Sequence, residues 1–533
     1  MKKSLLSKLL SNRPAPPISA ISTGVVDGLW LLLATGCLYL WRLGTLPLRD
    51  WDEGTIASVA KAMAASGDWI YPTLYGGPYL NKPPLVEWLI ATGYLGPGGV
   101  SAWTSRLLPA MISALAVPLL YWVGREVFDQ RRPALLSTGV FLTLLPVVRH
   151  SRLAMRDGVA VTLFLLVLLW GLKARKQRRY ALGLGISLGL IALTKGILVL
   201  LLGLIALVFF GVQALTARET SSSLLRNPYF WLGLALGSVP VVLWYGAQLV
   251  RYGDVYWQGH FVAQSFDRVT SAIEDHRHPP WYYLMELLKY SWPWLIFWPG
   301  GVVLAWQQRH RPWGQLVLVG TGLYLGAISL MGTKLPWYIM PLYPFVALAI
   351  GGYLHQVWHQ PPRWAVGLLT LIAVGALGGG TYLGIVDHQP TLVAIGIVLG
   401  LSVGWAGWRL WQRQSRWCLT LMMGLYLTLF LLMGSDVWLW ELNEAYRVNP
   451  VAALINQTVP ADAEVVTTFS YGRPSLNFYC DRNIPPLSGQ PLLDRWQEPN
   501  LYVLAEAHHL ANLPLHREIG RAEGMVLIQT LAE

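Results

Sequence analysis

Charge is what this sequence has least of. Only 13% of its 533 residues are Asp, Glu, Lys or Arg, against roughly 25% in an ordinary soluble domain. A chain this apolar has too little polar surface to cover a soluble globule, and its 54% hydrophobic content excludes disorder. Cysteine is also scarce. Cys37 and Cys418 sit in apolar runs and Cys480 stands alone near the C-terminus, so neither zinc-type spacing nor a disulfide framework is present. There is no Gly-rich phosphate loop of the Walker type, which argues against nucleotide-driven transport, and no internal repeat or heptad array. Acids are the rarer sign, 28 against 40 basic residues, for a net charge of +12. In a soluble protein that excess suggests nucleic acid; in an apolar chain it reflects basic residues held at the cytoplasmic membrane face.

What is abundant is apolar sequence in stretches of roughly 16 to 22 residues, the length of a helix crossing about 30 Å of hydrocarbon. They fall near 24 to 41, 104 to 123, 134 to 149, 158 to 172, 181 to 194, 196 to 213, 229 to 250, 290 to 306, 315 to 331, 337 to 354, 364 to 384, 391 to 410 and 417 to 434, thirteen expected spans. The first is followed by Trp41 and Arg42 with no small-residue cleavage site, unlike a cleaved signal peptide. Basic residues mark one side: Lys2, Lys3, Lys8 and Arg13, then Arg125, Arg131 and Arg132, Lys173 to Arg179, Arg218, Arg226, Arg309, Arg311, Arg363, Arg409, Arg413 and Arg416. That side is predicted to be cytoplasmic. The opposite, periplasmic side then receives loops 42 to 103 and 251 to 289 and the tail. The expected fold class is mostly α, a polytopic bundle of about 13 spans over residues 1–434, followed by a small periplasmic α/β domain over 435–533, whose short apolar runs are bounded by Pro, Asp and Asn.

The outer segments hold the unusual residues. The first loop reads Arg49-Asp50-Trp51-Asp52-Glu53-Gly54, and later Asn81-Lys82-Pro83-Pro84-Leu85. Three acids within four positions repel one another unless cations or protons compensate. They fit a solvated acidic turn opening a helix near Gly54, or a carboxylate acting as base or substrate ligand at the membrane surface. The connection between spans three and four carries Arg149, Arg152 and Arg156 beside Asp157. Three arginines on the outer face run against the orientation rule and suggest an anion site. Lys195 and Lys334 fall on the same face; a lone Lys at a span end commonly snorkels, but several converging cations point to a phosphate or pyrophosphate group. In the second long loop, His260 precedes Glu274-Asp275-His276-Arg277-His278. Glu274, His276 and His278 are candidate ligands of a divalent metal, without strict spacing, or members of a hydrogen-bonded His cluster.

Taken in order, Asp52-Glu53, Ser66-Gly67-Asp68-Trp69, Asn81-Lys82-Pro83-Pro84-Leu85, Met155-Arg156-Asp157, Thr194-Lys195-Gly196, His278-Pro279-Pro280-Trp281-Tyr282-Tyr283 and Lys334-Leu335-Pro336-Trp337-Tyr338 resemble one group of enzymes. These are the polyprenyl-phosphate-dependent glycosyltransferases of the GT-C fold, in particular the bacterial protein mannosyltransferase-like family (glycosyltransferase family 39) and the aminoarabinose transferases of lipid A. The resemblance covers roughly residues 45 to 350. It implies transfer of a hexosyl or pentosyl unit from a polyprenyl monophosphate to a hydroxyl of a lipid A-type or other glycolipid, or of a protein, with inversion, by a monomer that binds membrane lipids and no nucleic acid. Its implied acids are Asp52, with Glu53 beside it, and Asp157; Lys82, Arg149, Arg152, Arg156, Lys195 and Lys334 would surround the donor phosphate. Asp50, His260, His278 and Tyr338 are weaker substrate-binding candidates. Two departures matter: Asn81 stands where some aminoarabinose transferases carry Glu, removing a potential metal ligand, and Asp50 gives Asp52 a rival. A transporter or flippase of a lipid-linked anion is the alternative, although transporters place ionisable residues near the midplane and often show related halves.

Overall fold

The computed structural model describes residues 18–216, 224–272, 277–360, 362–498 and 500–531. The basic residues Lys2, Lys3, Lys8, Arg13 and Arg218, and the candidate metal ligands Glu274 and His276 with Asp275 between them, lie outside the described residues.

Each of the thirteen apolar stretches falls on helix. Among the described residues nine helical segments are long and apolar enough to cross a membrane: Thr23–Leu40, Ala102–Phe128, Arg156–Ala174, Leu198–Thr216, Pro228–Thr270, Pro312–Leu330, Pro336–Gln356, Trp364–Val386 and Pro390–Trp411. The pair Arg131–Leu142 and Leu145–Ser151, bent by 65°, makes a tenth if it is one span. The bend falls just before Pro146, which has no N–H to continue the helical ladder. Three further stretches are shorter helices, Ala181–Lys195, Trp298–Gln307 and Trp417–Met433. The 15 residues of Ala181–Lys195 rise only about 22 Å. The protein is thus a multi-span helical membrane protein, with apolar side chains such as Leu200, Val242, Leu243 and Leu371 exposed on its outside, where lipid meets them.

Small residues set the closest packing. Gly185 and Gly189 on Ala181–Lys195 face Gly233 and Gly237 on Pro228–Tyr256, and a Cβ on Gly189 would lie 2.1 Å from the Gly237 carbonyl oxygen. This is the small-xxx-small contact by which membrane helices approach without a hydrophobic drive between them. It fixes the helix that ends in Lys195.

Two regions stand outside the spans. In the first long loop a helix, Glu53–Ser66, is followed by a minimal hairpin of β1 (Thr73–Leu74) and β2 (Gly77–Pro78) and the helix Leu85–Tyr94. After Met433 the chain forms a four-stranded sheet in the order β3 (Glu464–Thr467), β4 (Leu501–Glu506), β6 (Met525–Thr530), β5 (His516–Ala522). β3 and β4 are parallel, and the connection between them carries the helix Pro474–Cys480. β5 and β6 form a hairpin across Glu523 and Gly524, both at positive φ as a tight two-residue turn requires. The two regions meet: Gly54 lies so close to Pro474 and Ser475 that a Cβ there would sit 2.6 Å from the Ser475 nitrogen.

Candidate active site

The acidic turn is built by hydrogen bonds within it and clamps around it. Asp52 N–H donates to the Asp50 carbonyl at 2.8 Å and Gly54 N–H to that of Arg49 at 2.9 Å, with Trp51 between them at φ +65°. The neighbouring acids then part company. Glu53 is fully buried; its carboxylate accepts from Arg106 Nε and Nη2, both at 2.7 Å, from Ala154 N–H at 2.7 Å and from Arg49 N–H at 3.0 Å. Burial alone would raise its carboxyl, but the Arg106 pair and the two amides more than offset this and hold it below its ordinary range. Arg106 also donates to the carbonyls of Leu43, Leu46 and Pro47, tying the entry to the turn. Asp50 is held from the other end of the chain. It pairs with the buried Arg473 at 2.7 Å and accepts from the Ser475 amide and hydroxyl.

Asp52 is the acid left open. Its nearest cation is Arg49, at 3.8 Å, and 23% of its side chain remains accessible. Burial pushes its carboxyl up to about 6, with Arg49 opposing and the charge of Asp157 adding. It lines a cavity of 1120 Å³ between the first long loop, the starts of helices that follow it and the segment after Met433.

The cavity collects Asp50, Asp52, Lys82, Arg156, Asp157, Lys195, His278 and Tyr338 from the sequence candidates. Asp157, at the N-terminus of Arg156–Ala174, pairs with Lys195 at 2.5 Å, and Lys195 lies 4.9 Å from the centre of the Tyr338 ring. Arg156 is paired with the buried Glu87 and reaches the Tyr79 hydroxyl at 3.5 Å. His278 stacks on Tyr282 with ring centres 4.2 Å apart. Lys82 and Arg268 differ from these. Among the described residues neither has a carboxylate within ion-pair distance: Lys82 Nζ meets the Gln264 carbonyl at 3.5 Å, Arg268 Nη1 meets the Tyr338 hydroxyl at 3.4 Å, and the buried Nε of Arg268 has no hydrogen bond. Burial, reinforced by Arg268, Arg156 and Lys195, pushes the Lys82 ammonium well below the usual lysine range. An arriving anion relieves that kind of shift.

Five candidates fall elsewhere. Glu53 is the buried clamp just described. Arg149 pairs with Glu441, donates to the Trp438 carbonyl at 2.9 Å and lies outside the cavity lining. Arg152 is fully buried and donates to the carbonyls of Leu38, Trp41 and Met433, a role set by helix ends that lack partners for those oxygens. Lys334 Nζ donates to the Met331 carbonyl at 2.5 Å, closing the end of Pro312–Leu330. His260 bridges the Leu80 carbonyl and the Tyr245 hydroxyl, each at 3.2 Å, and so braces the strand leading to Lys82 rather than facing the cavity. Among the described residues, the group of His and acids close enough to share a metal ion is Glu506, His508 and His509, beyond the cavity. Arg268, Glu87, Arg106 and Arg473 carry no motif in the sequence; Arg268 lies on the short helix Asp267–Thr270, where its basic charge is the available signal.

With this geometry in view, known proteins can be set beside the chain. Residues 30–254 match the family model described as dolichyl-phosphate-mannose-protein mannosyltransferase. Undecaprenyl phosphate-alpha-4-amino-4-deoxy-L-arabinose arabinosyl transferase of Edwardsiella ictaluri (strain 93-146) is 30% identical over 341 residues, 62% of this chain and 60% of that protein. The enzyme of the same name from Pseudomonas aeruginosa (strain LESB58) is 30% identical over 332 residues, 61% of this chain and 59% of its own length. The chain thus spans about 60% of the length of the curated relatives it matches. In three dimensions it aligns with ArnT from Cupriavidus metallidurans bound to undecaprenyl phosphate over 97% of this chain and 99% of that one, with TM-score 0.76 and 18% identity. The chain has the ArnT fold. It aligns less fully with the archaeal oligosaccharyltransferase AglB from Archaeoglobus fulgidus, solved with an inhibitory peptide and a dolichol-phosphate, at TM-score 0.51 and 13% identity over 91% of this chain and 69% of that one. The similarity in sequence to these arabinosyl transferases and the ArnT fold thus agree with the resemblance read from the sequence.

Proposed function

We propose that the protein is a membrane glycosyltransferase that moves a sugar from a polyprenyl-phosphate donor to an acceptor hydroxyl, with inversion. The observation that carries this reading is a single cavity joining one carboxylate without a close partner, Asp52, to two cations that have no carboxylate partner among the described residues, Lys82 and Arg268. The names of the relatives, and the undecaprenyl phosphate bound to the Cupriavidus protein, support a lipid-phosphate donor. In this reading Asp52 takes the proton of the acceptor hydroxyl as its oxygen bonds to the anomeric carbon. The bond from that carbon to the phosphate oxygen breaks on the opposite face, and Lys82 and Arg268 receive the charge left on the phosphate. Asp157, held by Lys195, and Arg156, held by Glu87, shape the floor between them. Asp50, saturated by Arg473 and Ser475, yields the reacting role to Asp52.

The basic connections between spans support a cytoplasmic N-terminus and a cavity on the periplasmic side of a bacterial-type inner membrane. Residues 435–533 form, in this assignment, a C-terminal periplasmic domain that lends Trp440, Glu441 and Tyr471 to the cavity. The test uses purified protein in lipid vesicles, supplied with an undecaprenyl-phosphate sugar and envelope glycolipid or protein acceptors. Wild type forms a glycosylated product and Asp52→Asn does not. Undiminished product from Asp52→Asn removes Asp52 from the chemistry, and translocation of the lipid without product from wild type replaces the transferase by a transporter.

A further inference from the structure

A second cavity of 210 Å³ adjoins the first. Arg49, Tyr282, Trp337, Trp440 and Glu441 line both, whereas Lys82, Asp157, Lys195 and Arg268 line only the larger. Arg49 is the wall between them, 3.8 Å from Asp52 on one side and 3.8 Å from Glu441 on the other. One wall of the chamber is polar and aromatic, where Arg149 lies 3.4 Å over the Trp440 ring and shares Glu441 with Arg49, and Tyr290 stacks on Trp440; Leu145, Pro146 and Ile339 line another part.

One buried polar atom on its lining residues is left over: His150 Nδ1 has no hydrogen-bond partner, and His150 is only 7% exposed. Arg49 Nη1 also lacks a hydrogen bond but is the atom 3.8 Å from Asp52, on the large-cavity side. Buried polar groups without partners are rare and call for a ligand or water. The chamber lies below the roughly 300 Å³ at which sites for drug-sized molecules begin, so it takes a single ring. An extended peptide would instead need an open edge or groove for its backbone. Indole and phenol rings beside Arg and Glu hydrogen-bonding groups suit a ligand with apolar C–H faces and a rim of hydroxyls.

We propose that this chamber is an acceptor-sugar subsite, which takes one pyranose ring of a glycan acceptor and binds its hydroxyls through Arg49, His150 and Glu441. The inference rests on the transferase reading above. That reading puts the donor phosphate at Lys82 and Arg268 and leaves the chamber on the Asp52 side for the acceptor.

The probe is an octyl glucoside carrying a diazirine on its ring, photolysed with the full chain in lipid nanodiscs and mapped by peptide mass spectrometry. Label is expected on peptides containing Arg149 and His150 or Trp440 and Glu441, and an excess of undecaprenyl phosphate leaves it in place. Glu441→Gln lowers labelling about tenfold, the loss of one charge-assisted hydrogen bond. Because Glu441 also holds Arg149, the half-exposed chamber residue Lys289 provides a second variant, Lys289→Gln, which keeps an N–H donor for Glu286 and is expected to lower labelling about threefold. Label confined to the Lys82 side, its displacement by undecaprenyl phosphate, or capture of a photoreactive Ser/Thr peptide in the chamber overturns the proposal. Chamber label in a protein that transfers no sugar from the polyprenyl donor leaves the subsite standing and removes the transferase. Sugar transfer with no label in the chamber does the reverse.

Discussion

The large cavity buries charge in two ways. In a paired set Asp50 meets Arg473 at 2.7 Å, Asp157 meets Lys195 at 2.5 Å, Glu53 meets Arg106 at 2.7 Å and Glu87 meets Arg156. In an unpaired set Lys82 and Arg268 meet, among the described residues, a carbonyl and a hydroxyl at 3.5 and 3.4 Å and no carboxylate. Buried charges are costly unless paired. The paired set is therefore scaffold, complete as it stands, while the unpaired set is completed by an anion. Asp52 belongs to neither, an acid kept at the boundary with its partner at 3.8 Å.

The sharpest way to break this contrast is at Asp52. Asp52→Asn is expected to lower turnover of an undecaprenyl-phosphate sugar by about 10²–10⁴ while leaving the Kd for undecaprenyl phosphate unchanged. Turnover of wild type should fall as pH drops through about 6, where the carboxyl takes up its proton. The same residue should weaken the fold. Its native carboxyl titrates above the unfolded value of 3.8, so the native state holds the proton more tightly, and stability is lost as pH rises from about 4 to 6. Thermal unfolding at pH 7.5 should then show Asp52→Asn more stable by up to about 3 kcal/mol, an advantage that disappears below pH 4. A variant that is inactive yet no more stable would mean that the ionised carboxylate is better solvated by the cavity than its surroundings imply.

Glu53, one residue on, is expected to behave in the opposite way. Glu53→Gln or Arg106→Met breaks a fully buried pair and should cost about 3–5 kcal/mol, read as a lowered Tm at every pH near neutrality. Activity lost from Glu53→Gln at unchanged Tm would make Glu53 a reacting group and erase the distinction between the two acids. In the unpaired set, Lys82→Met and Arg268→Met should each weaken undecaprenyl phosphate binding by about 1.5–3 kcal/mol, the range for a hydrogen bond to a charged group. Tm should change little, since no ion pair among the described residues is lost. A fall in Tm with unchanged Kd would move these residues to the scaffold.

The sequence carried the helices because hydropathy over some twenty residues is a local property. It also singled out Asp52, Lys82, Asp157 and Lys195, which the fold brings to one cavity, because polar residues in an apolar chain stand out. It did not carry the pairing. Glu53 finds Arg106 at a separation of 53 residues, Arg149 finds Glu441 at 292 and Asp50 finds Arg473 at 423. No periodicity links such positions, so four outer acids looked alike until their partners separated them. The arginines of 149–156 show the converse. They form a cluster in sequence, yet the break between Leu145–Ser151 and Arg156–Ala174 divides them: Arg149 turns to Glu441, Arg152 to three carbonyls and Arg156 to Glu87.

Lys334 gives the finest test of where scaffold ends and ligand site begins. In sequence it stands on the same footing as Lys195, a lone lysine at the end of an expected span. In the fold its ammonium donates to the Met331 carbonyl, capping Pro312–Leu330 where the last carbonyls lack helical partners and the helix dipole favours a cation. Nearby, the Thr333 amide donates to the Arg268 carbonyl at 3.1 Å, so the cap also borders the segment that carries the unpaired arginine. Lys334→Met should therefore lower stability by about 0.3–1 kcal/mol and leave the Kd for undecaprenyl phosphate within about twofold, below the tenfold that 1.4 kcal/mol would produce. A larger rise in Kd at unchanged Tm would mean that the lysine leaves its carbonyl for the phosphate, and the unpaired set would then number three cations.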